Sequence, residues 1–154
     1  MRKHFLTAAF ATIFALVLGM GASAQSVSGS LGKLTKGKAT RATVYLTLPG
    51  GLHANSNRPN SEYAIPTTVR ATSVRGVRVG AVSYPRGQNR KFGFSETPIN
   101  VYEGKVAFGF NVTVPESFKG QSVRVTVTVR YQACTSEVCY APKTKTVTLN
   151  ANVQ

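Results

Sequence analysis

Two cysteines are the residues of this 154-residue chain whose type and spacing point most directly to chemistry. Cys134 and Cys139 are separated by only four residues. Two cysteines this close can form a disulfide, and a thiolate can exchange such a bond with a second protein through a mixed disulfide. A metal centre is not indicated, because the chain has only two cysteines and two histidines, one of them His4 near the amino terminus.

The overall composition excludes most other kinds of site. The chain has five acidic residues, all Glu, which leaves little for catalysis by paired carboxylates. Its 19 Lys and Arg residues give a formal net charge of +14. No helix-turn-helix, zinc-finger or aromatic RNA-binding signature accompanies this charge, so we expect no nucleic-acid partner. Anionic surfaces and acidic proteins are more accessible partners of opposite charge than nucleic acid is.

The first 24 residues have the pattern of a secretory signal peptide. A basic start, Met1–His4, precedes an apolar run from Phe5 to Met20 and the small residues Ala22-Ser23-Ala24. An uncleaved membrane anchor is the alternative. We expect cleavage after Ala24, a single exported domain over residues 25–154, no stable membrane insertion after cleavage, and a periplasmic location. A disulfide is the default state of two cysteines in such an oxidising compartment.

The rest of the chain is patterned as β-strands. Apolar and polar side chains alternate with a period of two over Val123–Tyr131 and Lys105–Val114. About seven short strands predict a two-sheet antiparallel β-sandwich, with a small barrel as the alternative. The remaining predicted strands are Thr40–Leu48, Ile65–Ser73, Arg78–Tyr84, Thr144–Leu149 and, more weakly, Ser26–Leu34.

The two cysteines fall between two of these strands, where a hairpin turn is expected. A disulfide between Cys134 and Cys139 closes a loop of six residues and stabilises the fold by about 2 kcal/mol. It joins near neighbours rather than the two sheets, so a redox-active pair and a structural hairpin disulfide both remain open. Tyr131 and Tyr140 flank the pair and are candidates to shield it.

Several short motifs, in order along the chain, resemble one protein family. The cysteine hairpin reads Tyr131-Gln132-Ala133-Cys134, four residues, then Cys139-Tyr140-Ala141-Pro142. With its flanks it resembles the N-terminal periplasmic domain of the DsbD family of thiol:disulfide interchange proteins, protein-disulfide reductases linked to cytochrome c biogenesis. The matching upstream segments are Gly51–Pro59, Tyr63–Thr67, Val82–Pro85, Phe92–Phe94 and Val101–Gly104.

This resemblance implies an immunoglobulin-like sandwich that transfers electrons without a cofactor. Cys134 and Cys139 match the redox-active pair, and Cys139 is the expected carrier of the mixed disulfide. The expected partners are thioredoxin-like periplasmic proteins and a separate membrane electron carrier, since the chain has no C-x-x-C motif. The family also has an aromatic cap over the pair, for which Phe92 and Phe94 are candidates. The alternative for both rings is ordinary sandwich core.

A function of a different class remains open at this point. The chain could be a non-catalytic immunoglobulin-like binding module with a structural hairpin disulfide and a basic face for an anionic partner. His53 does not discriminate between the two functions, because no nucleophile accompanies it in sequence. We expect His53 to be a hydrogen-bonding loop residue.

Overall fold

A computed structural model describes residues 25–73 and 76–154, and the predicted signal peptide lies outside them. The described residues form an all-β, immunoglobulin-like fold in which every pair of neighbouring strands is antiparallel. They contain no helix long and apolar enough to cross a membrane. The strands are β1 (Ser26–Leu31), β2 (Ala39–Thr47), β3 (His53–Asn55), β4 (Thr68–Ser73), β5 (Arg78–Val79), β6 (Gln88–Arg90), β7 (Ile99–Glu103), β8 (Lys105–Thr113), β9 (Ser122–Tyr131), β10 (Ala133–Cys134) and β11 (Lys143–Asn152).

The body of the sandwich consists of two sheets, with strand orders β1-β2-β8-β5 and β11-β9-β4. Their period-two patterns place the apolar side chains on the facing sides, where they form one core. Val44 lies opposite Phe108 in the register of β2 and β8, and both are fully buried. The polar residues between them point outward, so each sheet of the body has one face in the core and one face in solvent.

All seven predicted strands are present in the body, although the Arg78–Tyr84 prediction is mostly extended chain beyond a two-residue β5. The expectation of only two sheets is incomplete. Four short strands form a third sheet in the order β10-β3-β7-β6, which the alternation did not predict. We call this third sheet the cysteine sheet, because β10 contains Cys134.

The cysteine sheet is joined directly to the body. Only Gln132 separates β9 from β10, and only Gly104 separates β7 from β8. Gly104 has φ 65°, a left-handed conformation that a residue without a Cβ adopts at little cost. One face of the cysteine sheet contributes Ala54, Tyr102 and Ala133 to the common core. The opposite face is therefore free to carry polar side chains.

Candidate functional site

The two cysteines form a disulfide at the tip of the predicted hairpin. Cys134 and Cys139 lie opposite each other, with their Cα atoms 4.0 Å apart. Backbone hydrogen bonds flank them, from Thr135 N to the Val138 carbonyl at 2.8 Å and from Tyr140 N to the Ala133 carbonyl at 2.9 Å. These backbone bonds and the disulfide close the hairpin together.

The two sulfur-bearing residues differ sharply in accessibility. Cys134 is fully buried, with 0% of its surface exposed, whereas Cys139 is exposed. Cys139 also lines a groove of about 690 Å³ beside the hairpin, together with Phe94 and Gln132. A second protein can therefore approach the disulfide at Cys139 and not at Cys134.

A row of three polar side chains crosses the cysteine sheet. His53 in β3 lies opposite Cys134 in β10 on one side and opposite Glu103 in β7 on the other. Residues directly opposite in an antiparallel pair point to the same face, with Cβ atoms about 4.5–5.5 Å apart. The row therefore runs Cys134–His53–Glu103 on the face away from the core. The expectation that His53 is a loop residue is wrong, because it is a strand residue beside a cysteine.

His53 is buried, with only 4% of its surface exposed. Burial lowers the pKa of its imidazole, because desolvation disfavours the charged form, and the nearby carboxylate of Glu103 opposes this effect in part. Glu103 is in turn paired with Arg90, at 2.8 Å between Oε2 and the guanidinium. We therefore expect a neutral His53 at neutral pH, with Glu103 held beside it.

Hydrogen bonds from the middle of the cysteine sheet fix strand β3 in place. The Asn55 side-chain amide donates to the Ile65 carbonyl at 3.0 Å and to Gln132 Oε1 at 3.5 Å. The Thr67 hydroxyl donates to the Asn55 carbonyl at 2.6 Å. These bonds attach β3 to the Ile65–Thr67 segment on one side and to the base of the cysteine hairpin on the other, so the position of His53 is set by its surroundings.

Two phenylalanines cover this face of the sheet. The Phe92 ring stacks on the His53 imidazole, with centroids 4.1 Å apart and planes at 14°. Phe94 stacks on Phe92 at 5.3 Å, is 46% exposed and lines the groove beside Cys139. Neither ring belongs to the sandwich core, so the core alternative is wrong for both.

The two flanking tyrosines lie in different surroundings. Tyr131 is fully buried in the core and its hydroxyl donates to Gln25 Oε1 at 3.1 Å; burial raises the pKa of this phenol. Tyr140 is 47% exposed at the hairpin, and its carbonyl accepts a hydrogen bond from Gln132 Nε2 at 3.1 Å. Of the two tyrosines, Tyr140 is thus the one at the surface beside Cys139.

The described residues offer no metal centre. Over residues 25–73 and 76–154, no three His, Cys, Asp or Glu residues are grouped so that they could hold a metal ion. The chemistry available at this face is therefore that of the disulfide, the imidazole and the carboxylate.

The model for the N-terminal domain of the thiol:disulfide interchange protein DsbD matches residues 30–151. The chain belongs to this family. Two solved structures are also similar. The N-terminal domain of Neisseria meningitidis DsbD in its reduced form is 15% identical, with a TM-score of 0.45, and the match covers 73% of this chain and 82% of that one. The N-terminal periplasmic domain of ScsB from Proteus mirabilis is 14% identical, with a TM-score of 0.49, over 82% of this chain and 44% of that one.

No curated protein sequence matches the chain significantly. Membership of the DsbD N-terminal domain family, together with the Cys134–Cys139 disulfide, supports thiol:disulfide interchange as the general chemistry. Both cysteines and both phenylalanines on this face were predicted from the sequence, and their roles stay predictions. His53 and Glu103, which lie beside Cys134, were not predicted. For Glu103 the available signal was the Glu103-Gly104 turn, which ends the short segment Ile99–Glu103.

Proposed function

We propose that this protein is a periplasmic thiol:disulfide interchange domain that relays reducing equivalents to and from thioredoxin-like proteins through Cys134 and Cys139. In this proposal the electrons enter from a membrane electron carrier, as the resemblance to the DsbD family implies. In this role the domain is a component of a protein-disulfide reductase system and needs no cofactor.

The observation that carries the proposal is the unequal burial of the two cysteines. In the reducing direction, the Cys139 thiolate attacks a partner disulfide, which breaks that bond and forms a mixed disulfide. Cys134 then attacks Cys139 and releases the partner sulfur as a thiolate, which takes up a proton. The pair loses two electrons and the partner gains them. An exposed Cys139 and a buried Cys134 suit these two successive roles.

Phe92 and Phe94 act in this proposal as a removable cap. Their stack covers the face that holds His53 and reaches the groove beside Cys139. A docking partner displaces Phe94 first, since that ring is the more exposed of the two. Tyr140 shields the hairpin at the surface beside Cys139, whereas Tyr131 supports it from within the core.

Trapping of the mixed disulfide tests the proposal. Cys134→Ser leaves Cys139 free to attack and removes the residue that resolves the complex, so a thioredoxin-like protein should accumulate as a covalent, reductant-sensitive adduct. Cys139→Ser is the matched control and should trap far less, because the remaining thiol is buried. Equal trapping by both variants, or none by either, contradicts the proposal.

The reduction potential of the pair is the second measurement. Structural disulfides of secreted proteins lie below about −300 mV, and exchange-active ones lie higher. We expect the reduction potential of the Cys134–Cys139 pair to lie above that limit. Equilibration with dithiothreitol or glutathione measures it. A value well below that limit, without an adduct on Cys139, favours a structural disulfide.

One observation favours the alternative function, a non-catalytic binding module. The outward face of the β11-β9-β4 sheet carries Arg70, Arg124 and Arg130 among threonines, and no carboxylate occurs in these three strands. Such a face suits an anionic partner. If the protein is such a binding module, the double variant Cys134→Ser/Cys139→Ser should bind its partner as well as the unaltered protein does. The exchange function predicts instead that this variant no longer captures its partner.

A further inference from the structure

The row Cys134–His53–Glu103 has the order of a nucleophile, a base and a group that orients the base. Strand register sets this order, since the three residues are directly opposite one another in β10, β3 and β7. The carboxylate is itself held by Arg90, and the imidazole lies under Phe92. Each member of the row thus has a neighbour that restricts its orientation.

The buried cysteine needs such a neighbour for the chemistry proposed above. A thiolate, not a thiol, attacks a disulfide, and apolar burial raises the pKa of a thiol. Cys134 is fully buried, so the group that takes up its proton has to be a neighbouring side chain. Water has no access to remove the proton, and the nearest titratable side chain in the register is His53.

We propose that His53 is the proton acceptor for Cys134 in the step that resolves the mixed disulfide, and that Glu103 orients the imidazole for this transfer. The Cys134 thiol gives its proton to a ring nitrogen of His53. Its sulfur then forms the bond to Cys139, and the bond between Cys139 and the partner breaks. The electron pair of that bond leaves on the partner sulfur, which is protonated. His53 returns its proton to that sulfur or to water.

This inference rests on the proposed exchange function and adds a residue to it. The groups that face His53 are Cys134 from β10, Glu103 from β7 with its partner Arg90 from β6, and the uncharged ring of Phe92 from the cap. Burial lowers the pKa of the imidazole, so the ring is unprotonated and able to accept a proton at neutral pH.

Reaction of the reduced protein with 5,5′-dithiobis(2-nitrobenzoate) separates the two steps. Cys139 attacks first and releases one thionitrobenzoate; Cys134 then attacks Cys139 and releases a second one in a unimolecular phase. Cys134→Ser should show only the first release, which assigns the phases. We expect the rate of the second phase to rise with pH through one inflection, the titration of His53.

His53→Gln is the decisive variant. We expect it to slow the second phase by about 100-fold at pH 7, the usual size of a general-base contribution, and to abolish the inflection while leaving the first phase unchanged. Thr144→Gln, an exposed position of β11 on the body, is the control and should keep both phases and the inflection. An unchanged second phase in His53→Gln overturns the proposal.

Glu103→Gln keeps the test decisive even if His53→Gln fails to fold. Removing the carboxylate that raises the imidazole pKa should move the inflection to lower pH and slow the second phase. An inflection at the same pH overturns the role of this row. Partner trapping by Cys134→Ser does not depend on His53, so adduct formation together with an unaffected second phase rejects only the inference about His53.

Discussion

The sandwich body and the cysteine sheet differ in what lies over the face that points away from the core. In the body this face is open to solvent and carries threonines and basic residues. In the cysteine sheet it carries Cys134 and His53, which are both buried, and Phe92 stacks on His53. Reactive groups thus lie on a rigid strand framework, but under a cover that is attached only by loop residues. We therefore expect changes in the body to affect mainly stability, and changes in the cysteine sheet and its cover to affect mainly reactivity.

The largest effect should come from the core of the body. Phe108 is fully buried and packs edge-to-face against Tyr84 and Tyr102. Phe108→Ala should lower the free energy of unfolding by about 3–5 kcal/mol, through lost burial and the cavity left behind. Urea denaturation measures this loss. Phe94→Ala, in the loop that covers the cysteine sheet, is the control and should lower the free energy of unfolding far less. An equal loss would contradict the contrast between the two regions.

The disulfide should contribute less than a core side chain does. It closes a six-residue loop that backbone hydrogen bonds already hold, so replacing Cys134 and Cys139 together by Ala should cost about 2 kcal/mol. The circular dichroism of the sheets and the denaturant m-value should stay the same. Loss of the β-sheet signal would mean that the hairpin supports the body, contrary to the division described above.

Removal of the cap should change reactivity rather than stability. A stacked aromatic pair contributes about 0.5–1.5 kcal/mol, so Phe92→Ala should accelerate reduction of the disulfide by dithiothreitol by up to about tenfold. Tyr45→Ala removes a partly buried ring from the body and should leave the rate unchanged. Similar acceleration in both variants would indicate general loosening instead of a local cover.

The smallest effect should be a dependence of stability on pH. Burial lowers the pKa of His53 in the folded state below its usual value near 6.5, so the unfolded chain binds the proton more readily. The contribution of neutral His53 to the free energy of unfolding is complete above about pH 6.5. It is lost as the pH falls through the folded-state pKa of His53. His53→Gln should flatten that part of the stability profile, whereas Thr144→Gln on the solvent face of the body should not.

The body was predictable from sequence because its strands are long. Nine or ten residues of alternation in Lys105–Thr113 and Ser122–Tyr131 exceed what chance arrangement of polar and apolar residues produces. The cysteine sheet was not predictable, since His53–Asn55 and Gln88–Arg90 are three residues long and consist of polar or small side chains. Such strands form because neighbours pair with them, not because of their own pattern.

Only the part of the candidate site that is local in sequence was predictable. Cys134 and Cys139 are close in sequence, so their pairing follows from the hairpin alone. His53 and Glu103 reach Cys134 only through pairing across β3 and β7, over separations of 81 and 31 residues that no local pattern encodes. Only the resemblance to a family singled out Phe92 and Phe94, for which ordinary sandwich core was the alternative.

The single residue between β9 and β10 fixes which face of the cysteine sheet Cys134 lies on. Tyr131 and Ala133 face the core, while Gln132 and Cys134 face the cap, so the alternation passes unbroken from the body into the cysteine sheet. Inserting one residue at Gln132 would turn Cys134 into the core and leave His53 opposite an alanine. Inserting two residues would return Cys134 to the face away from the core. The hairpin can therefore be transplanted onto another sandwich, or lengthened, only in steps of two.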